Sequence, residues 1–140
     1  MFGAIAFERV LSDPDEKIKT DRKIIVASGF KPGCSTDRGA VMFAKNFSAS
    51  VVVNMSNVEY VYDKDPSKFK DAKKIESMSW DKMISIVGNE WKAGLNMPFD
   101  PVATALAKKI GLSVFIIGKD LVNFKKVLEG SKFSGTVIKP

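Results

Sequence analysis

Apolar side chains fall along this chain in two patterns: short unbroken runs, and positions three or four residues apart. Ile24-Ile25-Val26-Ala27, Val51-Val52-Val53-Asn54-Met55 and Ser113 to Ile117 are runs without alternation, which predicts strands buried on both faces of a parallel sheet. Between the first two, Ala40, Val41, Ala44 and Phe47 share one face of a predicted helix that stops near Ser48 to Ser50. This is a βαβ arrangement, expected to cross over right-handed. Ser79 is placed to cap a helix through Trp80, Met83, Ile84 and Val87, ended by Gly88-Asn89. Asp100 as N-cap and Pro101 at the first helical position open a third helix. It buries Val102, Ala103, Ala105, Leu106 and Ile110, carries Lys108 and Lys109 near its C-terminal end, and stops at Gly111.

Asp120 caps a fourth helix to Glu129 and Gly130, and Gly135-Thr136-Val137-Ile138 reads as a short closing strand. At the start, Ile5, Ala6, Val10 and Leu11 predict a weak amphipathic helix, broken by Ser12-Asp13-Pro14-Asp15. Ser67 to Ser77 is lysine-rich and reads as a loop. The resulting order predicts one α/β domain, a three-layer α-β-α fold with a largely parallel sheet.

In such sheets ligands bind where loops leave the carboxyl ends of strands. Three loops meet that description: Gly29 to Asp37, Ser56 to Pro66, and Lys92 to Asp100. In the first, Gly29 and Gly33 let the backbone approach a ligand, Lys31 brings positive charge, and Ser35 and Thr36 set hydroxyls beside the free N–H groups of the next helix. That chemistry suits a phosphate. On the residues alone, Ser35, Thr36 or Asp37 serves equally well as an ordinary cap. The second loop offers Ser56 and Asn57 as polar partners, Tyr62 as a stacking surface and Asp65 as a ribose acceptor, although its turn and its Asp-Pro ending also describe a plain surface loop.

Composition narrows the chemistry. The chain has 140 residues, no histidine and one cysteine, Cys34. That excludes His-based triads, Cys/His zinc sites and an internal disulfide framework. Catalysis is left to lysine, carboxylates, hydroxyls, backbone amides, or a metal held by carboxylates and phosphates. The lone cysteine fits a reducing cytosol, charge at Glu8-Arg9 comes too early for a secretory signal, and no apolar run approaches the roughly 20 residues of a membrane helix. A cytoplasmic location without a membrane partner is the expectation. The formal charge is +6, but the lysines are scattered, so a solvated surface accounts for them and a nucleic-acid partner is not expected.

The three loops in order resemble the amino acid kinase family, and within it the archaeal type of UMP kinase (uridylate kinase). Gly29-Phe30-Lys31-Pro32-Gly33-Cys34-Ser35-Thr36-Asp37 matches its nucleoside-monophosphate loop. Ser56-Asn57-Val58-Glu59-Tyr60-Val61-Tyr62-Asp63-Lys64-Asp65-Pro66 matches its ATP loop. Lys92-Ala93-Gly94-Leu95-Asn96 and Asp100-Pro101-Val102-Ala103 match its third pattern. The resemblance implies transfer of the γ-phosphoryl of ATP, with Mg2+, to UMP or another nucleoside monophosphate, in pyrimidine nucleotide biosynthesis. It implies UMP contacts from Phe30, Lys31, Pro32, Gly33, Cys34, Ser35 and Thr36, and ATP contacts from Ser56, Asn57, Tyr62 and Asp65. Asp100 would be a catalytic-site carboxylate near the reacting phosphates, no resident metal ligand is implied, and a homo-oligomer, in the family a hexamer, is expected.

The departures bear on activity. The family's opening lysine- and glycine-rich elements and its uracil-reading aspartate are unmatched, so the match begins partway into the family pattern and the fold is expected to be N-terminally truncated. Ser56 stands where the ATP loop has Thr, and Tyr60 where it has Gly. These differences keep open a second reading, a non-catalytic nucleotide- or oxyanion-binding member of the same fold used as a sensor or store. A third, a basic nucleic-acid binder, rests on net charge alone.

Overall fold

The computed structural model describes residues 2–88 and 97–140. Its helices are α1 (Thr36–Asn46), α2 (Trp80–Val87), α3 (Pro101–Lys109) and α4 (Leu121–Leu128). Its strands are β1 (Val51–Met55), β2 (Val61–Tyr62), β3 (Lys74–Ile75), β4 (Ser77–Ser79), β5 (Ser113–Ile117) and β6 (Thr136–Lys139). Ser79, Asp100 and Asp120 cap their helices as predicted, and of the three candidates Ser35, Thr36 and Asp37 it is Ser35 that caps α1; all four accept a first-turn backbone N–H through the side chain. Such a cap satisfies one of the N–H groups that a helix start otherwise leaves without an acceptor.

The main sheet runs β1-β5-β6-β4. The β1–β5 and β4–β6 ladders are parallel and the β5–β6 ladder between them is antiparallel, so the sheet is mixed while most of its ladders are parallel. Alternation along β5 sorts its side chains. Val114 and Ile116 join Val41 and Ala44 of α1, Met83 and Val87 of α2, and Ala103 and Ala107 of α3 in one buried cluster. Trp80 lies in the same cluster and donates its indole N–H to the Leu112 carbonyl at 2.9 Å. Phe115 faces the other way and meets Phe133 edge-on at 5.3 Å, and α4 lies against β5 without entering the main cluster. Helices thus flank the sheet on both sides, as the predicted three layers require.

Of the face of α3 read as buried, Val102 and Ala105 are exposed, and β1, read as buried, is exposed at Val51 and half-buried beyond it; three further sequence expectations are corrected. Residues 2–11 do not form an amphipathic helix: a 3-10 turn over Gly3–Ile5 gives way to an extended arm that bonds to the next segment. Phe7 N–H donates to Ile24 O at 2.8 Å, and Leu11 N–H to Val26 O at 2.9 Å. So short a helix, interrupted by Glu8 and Arg9, has little stability of its own, and the competing backbone bonds prevail. Ile24 to Ala27, predicted as a buried strand, is partly exposed and makes only isolated parallel bridges, Ala6 to Ile24 and Leu11 to Ala27; no ladder joins it to β1 among the described residues. Lastly, the stretches read as loops contain β2, β3 and β4. They are two or three residues long, too short to show a period, and exist because β2 pairs with β3 and β4 pairs with β6.

Gly135 marks the tightest approach of backbone to sheet. Its φ is 150°, and a Cβ there would lie 2.5 Å from the Ile116 carbonyl oxygen and 2.8 Å from Ile117 Cγ2. Gly135→Ala is expected to destabilise the fold by about 2 kcal/mol or more, since neither backbone nor a branched core side chain yields easily. Urea unfolding measures it, and a loss below about 0.5 kcal/mol, ordinary for a surface change, would contradict the packing described.

Candidate functional site

Lys31-Pro32-Gly33-Cys34 closes a turn in which Cys34 N–H donates to Lys31 O at 3.1 Å. Gly33 has φ 79°. Proline before a residue of positive φ is the signature of a type II turn, so both residues of the pair are dictated by geometry. The turn delivers the chain to Ser35, the N-cap of α1, whose Oγ accepts from Arg38 N–H at 3.1 Å. The first-turn N–H groups of Thr36 and Asp37 have no acceptor within the helix.

The Ser35 hydroxyl also donates to Asp100 Oδ2 at 2.6 Å. Asp100 is the N-cap of α3, with Oδ1 accepting from Ala103 N–H at 2.7 Å. Its own N–H donates to Asp37 Oδ2 at 3.0 Å, and Asn54 Nδ2, near the carboxyl end of β1, donates to Asp37 Oδ1 at 3.3 Å. Thr104, fully buried, donates its hydroxyl to the Asp100 carbonyl at 2.8 Å. The two helix starts are therefore bonded to each other, and both are tied to the strand end. All four carboxyl oxygens of Asp37 and Asp100 accept from protein donors.

Asp37 sits in the first turn of α1, where the helix dipole favours its charge. Burial acts against it at Asp37: desolvation pushes its carboxyl above the ordinary range, the N–H of Asp100 pulls it back, and the nearby charge of Asp100 pushes it up again. Asp100 is only 5% exposed.

The predicted residues divide between two places. Ser35 and Asp100 are bonded directly, with Cys34 half-buried beside them in sequence and Lys31, Pro32, Gly33 and Thr36 exposed. Lys31 Nζ lies 4.8 Å from the Phe30 ring centroid, a cation–π contact that leaves the ammonium at the surface. Ser56 ends β1, its N–H donating to Ile117 O at 2.9 Å, and Asn57 beside it is exposed. Tyr62 and Asp65 belong to the β2–β3 ribbon and the turn after β2. Asp65 accepts from Ser67 N–H at 2.9 Å and Ser67 Oγ at 2.7 Å, and these bonds hold its carboxyl below the ordinary range. Among the described residues no hydrogen bond links Tyr62 or Asp65 to the Ser35–Asp100 group. Tyr60 is half-buried with Lys74 Nζ 4.6 Å above its ring. Lys92-Ala93-Gly94-Leu95-Asn96 lies outside the described residues.

Sequence reasoning passed over Asn54 and Thr104, and offered Asp37 only as a motif residue or a candidate cap of its own helix. A signal existed for Asn54, the one polar residue interrupting Val51-Val52-Val53-Asn54-Met55. Thr104 on an otherwise apolar helix face gave a fainter one. Among the described residues no three Asp, Glu or Cys side chains gather as a metal ion could use.

A pH dependence follows from the raised Asp37 carboxyl. Between its unfolded and native values the native state holds a proton that the unfolded chain has lost, so this contribution to stability falls as pH rises through that window and stays at the lower level above it. In Asp37→Asn one amide oxygen still accepts from Asp100 N–H, and Asn54 can turn its own oxygen to meet the new amide. The variant lacks the titration. Its urea-unfolding free energy relative to the unmodified chain is expected to rise with pH across the window; a difference that does not vary with pH would contradict the assignment.

A model of the amino acid kinase family matches residues 8–118. Uridylate kinase from Pyrococcus abyssi is 35% identical over 139 residues, covering 96% of this chain and 61% of that protein. Uridylate kinase from Methanobrevibacter smithii is 33% identical over 140 residues, covering 97% and 62%. The crystal structure of uridylate kinase from Archaeoglobus fulgidus superposes with a TM-score of 0.81 at 28% identity, over 96% of this chain and 62% of that one. The chain spans about three-fifths of the length of these relatives. With the family model matching most of its residues, the chain belongs to the amino acid kinase family.

Proposed function

We propose that this chain carries the nucleotide-binding part of a UMP kinase. In the reaction, an oxygen of the UMP phosphate bonds to the γ-phosphorus of ATP, the bond to the β-phosphate oxygen breaks, and the products are UDP and ADP. The observation that carries the reading is the capped start of α1 behind the type II turn. It supplies backbone N–H groups and the exposed Lys31 ammonium, with the start of α1 tied through Asp37 to Asn54 near the carboxyl end of β1. Fixed amides at a helix N-terminus are suited to a phosphate dianion.

On this reading Phe30, Lys31, Pro32, Gly33, Cys34, Ser35 and Thr36 form the UMP side, and Ser56, Asn57, Tyr62 and Asp65 the ATP side. Asp100 acts as a positioning residue, since its oxygens are turned to Ser35 and Ala103 rather than outward. Phosphoryl transfer depends chiefly on positioning and neutralisation of charge, so the lack of histidine is no obstacle. Magnesium would enter with the phosphates of ATP, and no step is assigned to it.

The experiment is ADP formation by the purified chain with Mg-ATP and UMP, against CMP and no-acceptor controls, together with UMP affinity by calorimetry. UMP-dependent ADP above the controls is the expected result, and Lys31→Ala is expected to weaken UMP binding by about tenfold, the loss of one charge-assisted contact. UMP binding without turnover would favour the non-catalytic binding module, and absence of UMP binding would overturn both.

A further inference from the structure

Thr136 opens β6, opposite Ile116 in the antiparallel β5–β6 ladder, and is fully buried. Its hydroxyl makes two bonds that leave the main sheet. The oxygen accepts from Val61 N–H at 2.8 Å, and the O–H donates to Ile75 O at 2.5 Å. Val61 and Ile75 are the residues paired across the β2–β3 ribbon. One hydroxyl therefore holds both strands of the ribbon, at the same pair, against the sheet.

Val61 is also buried in the main cluster with Ile75 packed against it, and the chain passes from Ile75 through Glu76, whose carbonyl accepts from Val137 N–H at 2.9 Å, into β4; among these ties the Thr136 hydroxyl is the one polar group that reaches both strands of the ribbon. Farther out, its bonds are internal: Asp63 N–H to Lys73 O at 3.1 Å, Lys73 N–H to Asp63 Oδ1 at 2.8 Å, and the Lys64–Asp71 ion pair at 2.6 Å. Those bonds keep the ribbon's shape but say nothing of its placement. An isolated two-stranded ribbon is marginal in water, so its position depends on what ties it to the larger sheet. Tyr62 follows Val61 directly, and Asp65 stands at the outer turn.

We infer that Thr136 is a positioning residue for the nucleoside of ATP: through its single hydroxyl it sets where the ribbon presents Tyr62 and Asp65. The inference rests on the reading that the ribbon forms the ATP side of the site. Thr136→Val keeps the volume and removes both bonds, leaving Val61 N–H and Ile75 C=O without this partner in a buried setting. Thr136→Ser keeps the hydroxyl.

The test combines calorimetric affinities for ATP and for UMP with amide hydrogen exchange across residues 61–75, on the unmodified chain and both variants. Thr136→Val is expected to speed exchange at the ribbon amides and weaken ATP by about tenfold, the effect of one lost buried bond, with UMP affinity within twofold. Thr136→Ser is expected to restore both. Equal weakening of the two nucleotides, or ATP affinity unmoved while the ribbon loosens, would overturn the inference alone. If the unmodified chain binds UMP but no ATP, the ATP reading fails, and the inference fails with it. Should Thr136→Val not fold, Thr136→Ser still decides: near-normal ribbon exchange and ATP affinity support the hydroxyl's role, and a full loss overturns it.

Discussion

The hydrogen bond from Ser35 to Asp100 is the contact on which the site depends. Each side chain caps its own helix, and the bond between them makes the two caps a single object. Neither helix start can shift without straining the bonds that join it to the other. Asp37 extends the lock by reaching the N–H of Asp100, and Asn54 anchors Asp37 to the end of β1. A carboxyl as enclosed as that of Asp100 is tolerable only because its oxygens have partners. Among the described residues no buried side-chain nitrogen or oxygen lacks one.

This arrangement makes the structural and functional readings of the first loop compatible. The cap fixes the axis of α1, so the type II turn before it presents its amides from a rigid base. A preorganised donor set binds an anion without reordering its own backbone, and that is the main contribution a protein makes to holding phosphates for transfer. The β2–β3 ribbon is organised differently, as a small appendage fixed to β6 through Thr136. One half of the candidate site is thus built into the layers of the fold, and the other is fastened to them.

The four helix starts were legible because each carries its instruction locally: Ser35, Ser79, Asp100 and Asp120 stand where their side chains reach the first turn. The run at Ser113 was legible because β5, paired on both sides, is largely buried and tolerates few polar residues; the run at Val51 does form a strand, although among the described residues β1 lies at the sheet edge and is exposed or half-buried where the sequence predicted burial. The ribbon was not, since Val61-Tyr62 and Lys74-Ile75 find each other across a lysine-rich stretch with no periodicity. Ile24 to Ala27 looked like a strand from composition alone, yet whether a run becomes a strand depends on its neighbours. Here the neighbour is the arm of residues 6–11 and not β1. At the site, the residue types of the first loop were readable, but the link between Ser35 and Asp100, 65 positions apart, is a property of the fold.

The central claim is that the start of α1 is a phosphate site held ready by the Ser35–Asp100 contact. Nitrogen-15 amide shifts on titration with UMP and, separately, with uridine test it most directly. The account predicts that UMP moves the amides of Gly33, Cys34, Thr36 and Asp37 most, and that uridine, which lacks the phosphate, leaves them nearly unmoved. Equal shifts from the two ligands, or UMP shifts that fall elsewhere, would contradict it.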